Sequence, residues 1–123
     1  MELVNSECAF KVCNLTYLEN FSGGDKDFIR QMIELFFKQV AEELNNIRQQ
    51  AIKMDLQEVM KTAHKLKSSV SLLGAERMAL LLKQIEQLAA VEEGNDTILQ
   101  LHTELNVLNE EAVRELKAYL ISV

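Results

Sequence analysis

The 123 residues suffice for one domain with a single buried core and leave no length for a second catalytic unit. Proline and tryptophan are absent, glycine is scarce, and Leu, Glu, Gln, Lys and Ala dominate, a composition that favours helix throughout. A net charge of −6 argues against nucleic acid as the main partner, and no apolar run reaches the roughly 20 residues that span a bilayer. Met1-Glu2-Leu3 opens no secretory signal, and Cys8 and Cys13 are spaced unlike a metal site, so the expectation is a cytoplasmic chain with two free thiols.

In chain order, residues 1–21 read as a short helix ending at the turn signal Phe21-Ser22-Gly23-Gly24. Asp25 is placed to cap a second helix from Lys26 to about Lys53, with Asp27 near the positive end of its dipole. Ile29, Ile33, Phe36, Val40, Leu44 and Ile47 recur at three- and four-residue spacing, which puts one stripe on a core. Asp55 with Glu58 three residues on reads as a capping box that opens a third helix, ending around Leu73-Gly74. Ala75 opens a fourth, with Met78, Leu81, Leu82, Ile85, Leu88 and Ala89 as its stripe. Glu93-Gly94-Asn95-Asp96 breaks the chain and caps a last helix with Ile98, Leu101, Leu105, Leu108, Ala112, Leu116 and Tyr119 inward.

Four one-sided helices joined by short loops most simply form an all-α, antiparallel up-down-up-down four-helix bundle, about residues 25–121. The short N-terminal helix would pack across one end or edge, giving a single domain over 1–123.

The stretch Ala63-His64-Lys65-Leu66-Lys67-Ser68-Ser69 carries the chemistry. At about 100° per residue, Leu56, Val59, Ala63, Leu66, Val70 and Leu73 form an apolar arc centred well over 100° from His64. The histidine shares its side with Gln57, Met60, Lys61, Lys67, Ser68 and Ser71, so its imidazole points away from the core. Charge concentrates here: residues 60–83 carry +4 and the remainder −10. Lys61 and Lys67, about one turn away on either side, suit an anion at the ring and should oppose its protonation, Lys65 adds to the basic zone, and the small Ser68 and Ser71 allow close approach by another protein.

At this point the sequence resembles a known family. The Ala63–Ser69 run, followed by Leu73-Gly74-Ala75 and a Leu-rich helix to Ile85-Glu86, is similar to the histidine phosphotransfer (HPt) pattern, with the upstream Phe21–Phe28 turn in the matching place. The resemblance implies a phosphorelay protein of two-component systems. His64 would accept a phosphoryl group on Nε2 from a receiver aspartate, and Lys67 would stabilise the phosphate. Gly74 would end the histidine helix, and Glu86 would sit where the family sometimes supplies a polar contact to the imidazole. Ser68 stands where the family usually has glycine. The implied partners are response-regulator receiver domains or a hybrid histidine kinase, with Mg²⁺ on the receiver, no cofactor on this chain, and a monomeric state.

The residues independently favour a carrier over a kinase, since the chain has no glycine-rich phosphate loop and no strands for a nucleotide domain. Phe28, Met32 and Leu35 fall at the edge of the second helix's stripe, and Met60 and Leu72 lie off the third's. They are candidate docking residues, unless the N-terminal block covers Phe28, Met32 and Leu35. His102, at the border of the last stripe, lacks a second ligand, and no metal site is expected. Two other classes fit the composition: an adaptor bundle that binds a receiver without chemistry, and a helical oligomerisation module.

Overall fold

A computed structural model describes residues 12–92 and 94–122. Its helices are α1 (Thr16–Ser22), α2 (Lys26–Ile52), α3 (Leu56–Leu72), α4 (Glu76–Ala90) and α5 (Asn95–Ser122), and the described residues contain no strand. Helices α2 to α5 alternate in direction and close into a ring in which α2 packs on α3, α3 on α4, α4 on α5 and α5 back on α2. The short α1 leans on α2.

The periodic stripes are the core. All six expected positions on α2 are buried, as are Leu56, Val59, Ala63, Leu66 and Val70 on α3. On α4, Met78, Leu82, Ile85 and Ala89 are buried, and Leu81 and Leu88 pack half-buried around them. On α5 the same holds for Ile98, Leu105, Ala112 and Leu116, flanked by Leu101, Leu108 and Tyr119. Burial of these faces is what stabilises helices that would be marginal alone.

The helix boundaries follow local chemistry in most places. Asp25 Oδ1 accepts from the Phe28 N–H, the cap expected at the start of α2. Asp55 does not act likewise: its side chain makes no cap hydrogen bond, and Glu58 pairs with Lys61 instead. The tight turn explains this. Met54 N–H donates to Ala51 O and Asp55 N–H to Gln50 O, and these bonds leave Asp55 at φ −91, ψ 72 rather than in the extended cap conformation.

The expected N-terminal helix begins only at Thr16 among the described residues, and residues 1–11 lie outside them. Before α1 the backbone is held by tertiary contacts instead of helical ones. The Val12 and Cys13 N–H groups donate to the Glu115 carboxylate of α5, at 2.9–3.2 Å and 3.0 Å, and Asn14 N–H donates to Leu73 O at 2.9 Å. This strap buries Val12, Cys13 and Leu15 across the end of the bundle that carries the α3–α4 turn. Burial, with Glu115 adding to it, pushes the Cys13 thiol up to about 12, so it is inert as a nucleophile. Truncating Glu115 leaves two buried amides without their acceptor. Glu115→Ala is expected to lower stability by about 1–3 kcal/mol in denaturant unfolding, with Glu115→Gln intermediate because one acceptor oxygen remains.

Candidate phosphoacceptor site

Helix α3 is tied to its two neighbours by side chains on opposite flanks. Toward α2, Thr62 Oγ1 donates to Gln50 at 3.0 Å, Lys65 Nζ meets Glu43 at 2.9 Å, and Ser69 Oγ donates to Gln39 at 3.2 Å. Toward α4, a single carboxylate serves two partners. His64 Nδ1 lies 2.8 Å from Glu86 Oε2, and Lys67 Nζ lies 3.1 Å from Glu86 Oε1. His64 stands on the crest between these flanks with its side chain 65% exposed.

Because a carboxylate only accepts, Nδ1 must carry the proton in this contact, and in the neutral ring Nε2 then keeps its lone pair facing solvent. Partial burial by itself would raise the Glu86 pKa. The hydrogen bonds and charges of Lys67 and His64 outweigh it and hold the carboxyl below the usual carboxylate range. Glu43 behaves alike: burial opposes ionisation, yet Lys65 and Asn46 keep its pKa low.

The lysines differ from expectation in one respect. Lys61, Lys65 and Lys67 are each paired, with Glu58, Glu43 and Glu86, so the ring does not sit in a field of bare ammonium groups. The charged group nearest the imidazole is the Glu86 carboxylate. Both glutamates with lowered pKa stabilise the fold above the ordinary carboxylate pKa, and that contribution is lost as pH falls through their folded values. Thermal melts taken from about pH 7 to pH 3 should therefore show a falling midpoint on the acid side, with a shallower fall in Glu43→Gln.

The docking candidates do not form one patch around the ring. The Lys65–Glu43 and Ser69–Gln39 contacts set the register and place His64 opposite Leu44. Phe28, Met32 and Leu35 continue the same ridge of α2 that carries Gln39 and Glu43, with Leu35 about 13 Å and Phe28 about 24 Å along the axis from the level of His64. Leu35 is 51% exposed, while Phe28 and Met32 are half-buried, so among the described residues these side chains are covered only in part. Leu72 falls level with Leu35 on the flank toward α2. The helical position of Met60, close to that of Lys67, puts it on the flank toward α4. Helix α1 extends the apolar ridge: Phe21 packs 6.2 Å from Phe28 and stacks 6.1 Å from Tyr17, and both Tyr17 and Phe21 are exposed. The sequence signal for this extension was an aromatic pair four residues apart just before Gly23-Gly24.

Gly74 has a second role beside ending α3. Its φ is +67, and a Cβ there would meet the Asn14 carbonyl oxygen. His102 is buried and structural: its Nε2–H donates to Leu44 O at 2.7 Å, and Asn106 lies 3.4 Å from Nδ1. No group of three or more His, Cys, Asp or Glu among the described residues could hold a metal ion, and no described helix is long and apolar enough to cross a membrane.

A family model described as Hpt domain matches residues 31–120, from early in α2 almost to the end of α5. The chain belongs to the Hpt family. No curated protein and no solved structure matched the sequence at the significance required. Hpt domains are phosphoryl carriers that partner with receiver and hybrid-kinase domains of two-component systems, and the Hpt match covers both His64 on α3 and Glu86 on α4.

Proposed function

We propose that this Hpt domain relays a phosphoryl group between receiver aspartates through Nε2 of His64. The observation that carries the reading is the Glu86 carboxylate at 2.8 Å from Nδ1 of a ring that is otherwise open to solvent. In the transfer, the Nε2 lone pair attacks the phosphorus of an aspartyl phosphate. The P–N bond forms as the P–O bond to the aspartate breaks, and the carboxylate leaves with its electron pair. Nδ1 keeps its proton, and the positive charge gained by the ring is offset by Glu86, so no proton has to move. The reverse sequence delivers the group to a second receiver.

Lys67 is one helical turn from the ring and shares Glu86 with it, so its ammonium can turn from Glu86 to the phosphoryl oxygens at little cost in position. The receiver would supply Mg²⁺ and most of the stabilisation of the transferring group. The receiver lands on the ridge formed by Phe28, Met32 and Leu35, with Leu72 beside it and Tyr17 and Phe21 beyond. A partner of ordinary domain size can cover this ridge and still reach His64, while Met60 contacts it from the other side.

The test is incubation with a phosphorylated receiver and Mg²⁺, scored for an acid-labile, base-stable phosphate. Transfer is expected for the wild type and none for His64→Gln, with helicity and melting unchanged because the ring contributes nothing to the core. Binding without transfer across several receivers would instead assign an adaptor.

A further inference from the structure

We propose that the Ser68 hydroxyl, with Lys83 across the groove, is a ligand for the phosphoryl group carried by His64, so that the side chain standing in the family's glycine position takes part in transfer. This rests on His64 being the phosphoacceptor. Ser68 follows His64 by one helical turn on the same exposed side, and the tilt of helical side chains toward the N-terminus leans its hydroxyl toward the histidine.

The pairing pattern around the ring narrows the donors available to a new anion. Lys61, Lys65, Lys67 and Ser69 all have partners in the resting protein. Ser68, Ser71 and Lys83 make no side-chain hydrogen bond or ion pair among the described residues. These three line one open groove between α3 and α4, about 540 Å³ in volume, which begins at Lys67. The contacts of Glu86 with His64 and Lys67 set the register of the two helices, and one turn back along α4 brings Lys83 level with Lys67 and Val70. Glu76, the acid of the groove, lies about 10 Å from Lys83 along the axis, toward the α3–α4 turn.

A phosphoryl group adds three acceptor oxygens beside donors that have nothing else to bind. Ser68 reaches it from the helix that bears it, Lys67 turns to it from Glu86, and Lys83 closes the far side of the groove. No proton is exchanged, because the hydroxyl and the ammonium donate hydrogen bonds only.

The full-length chain is phosphorylated with phosphoramidate, a small donor that needs no partner surface, and phospho-His64 is followed by ³¹P NMR. It is then equilibrated with a receiver. Ser68→Ala, Ser68→Gly and Lys83→Ala are each expected to lower the equilibrium ratio of phospho-His64 to phospho-receiver by about fivefold, the order of one net hydrogen bond. They should also shift the phosphorus resonance, whereas Ser68→Thr keeps both values. Unchanged ratios and resonances in both Ser68→Ala and Ser68→Gly overturn the proposal. So does a Ser68→Gly variant that only transfers faster, which would make the side chain a steric brake. Failure of the wild type to take phosphate at His64 overturns the phosphoacceptor reading and this inference together.

Discussion

Gly74→Ala is expected to cost about 3–4 kcal/mol of folding stability and to lower the melting midpoint by on the order of 10 °C. Two effects add. The residue sits at φ +67, where an L side chain is strained by about 1–2 kcal/mol. The new Cβ would also overlap the Asn14 carbonyl oxygen, its carbonyl carbon at 2.9 Å and its Cβ at 2.7 Å. Backbone cannot yield as a flexible side-chain tip would. The strap therefore has to lift, which weakens the Asn14 N–H to Leu73 O bond and the burial of Val12, Cys13 and Leu15. Thermal and urea unfolding, followed by circular dichroism, measure the loss. A loss near 1 kcal/mol would mean that the strap detaches freely and contributes little. Because Leu73 and Gly74 end the histidine helix, transfer should also become more sensitive to temperature in this variant.

Glu86→Ala should slow single-turnover transfer from a phosphorylated receiver by about 10- to 100-fold while leaving melting within a few degrees of wild type. The carboxylate does two things that alanine cannot. In the proposed transfer it would hold the proton on Nδ1 and so leave the exposed Nε2 as the nucleophile, and it holds the Lys67 ammonium on the same carboxylate as the ring. Without it the imidazole divides between tautomers and rotamers, and the cationic ring formed on phosphorylation loses its counter-charge. Glu86→Gln separates the two roles, since the amide oxygen still accepts from Nδ1–H but no longer neutralises charge. A rate between those of wild type and Glu86→Ala is expected. Nitrogen chemical shifts of the His64 ring should report a fixed Nδ1–H tautomer in the wild type and a mixture in Glu86→Ala. Wild-type transfer rates in Glu86→Ala would remove Glu86 from the mechanism.

Much of the fold and part of the site were legible in the residues because both depend on position around a single helix axis. The spacing of Ile29, Ile33, Phe36 and Val40 told which face is buried, and the same count placed His64 opposite the apolar arc of its own helix. The Asp25 cap was local, a side chain three residues from its donor. The Asp55 cap failed because the turn bonds between Ala51, Met54, Gln50 and Asp55 impose a backbone that a count along the sequence does not see. Glu86 could be marked only by its place in a family pattern, and nothing in the sequence indicated that it would bind Lys67 as well. Glu43 had no signal at all: a glutamate at the edge of a core stripe reads as solvated until α3 brings Lys65 to it. The basic stretch around the histidine was visible as charge, but its pairing was not.

Sequence alone determined that five helical segments form, which stripe of each long helix is buried, and that one histidine faces outward beside lysines and serines. Those are properties of hydrophobic period and local propensity, and they survive any arrangement of the helices. The tertiary structure decided which nitrogen of that histidine is free, which cations around it are already neutralised, and why Gly74 admits no side chain. Each of these depends on how far one helix is turned and shifted against the next. That register is set by turns of three or four residues and by contacts between residues such as Cys13 and Glu115, which lie 102 positions apart in the chain.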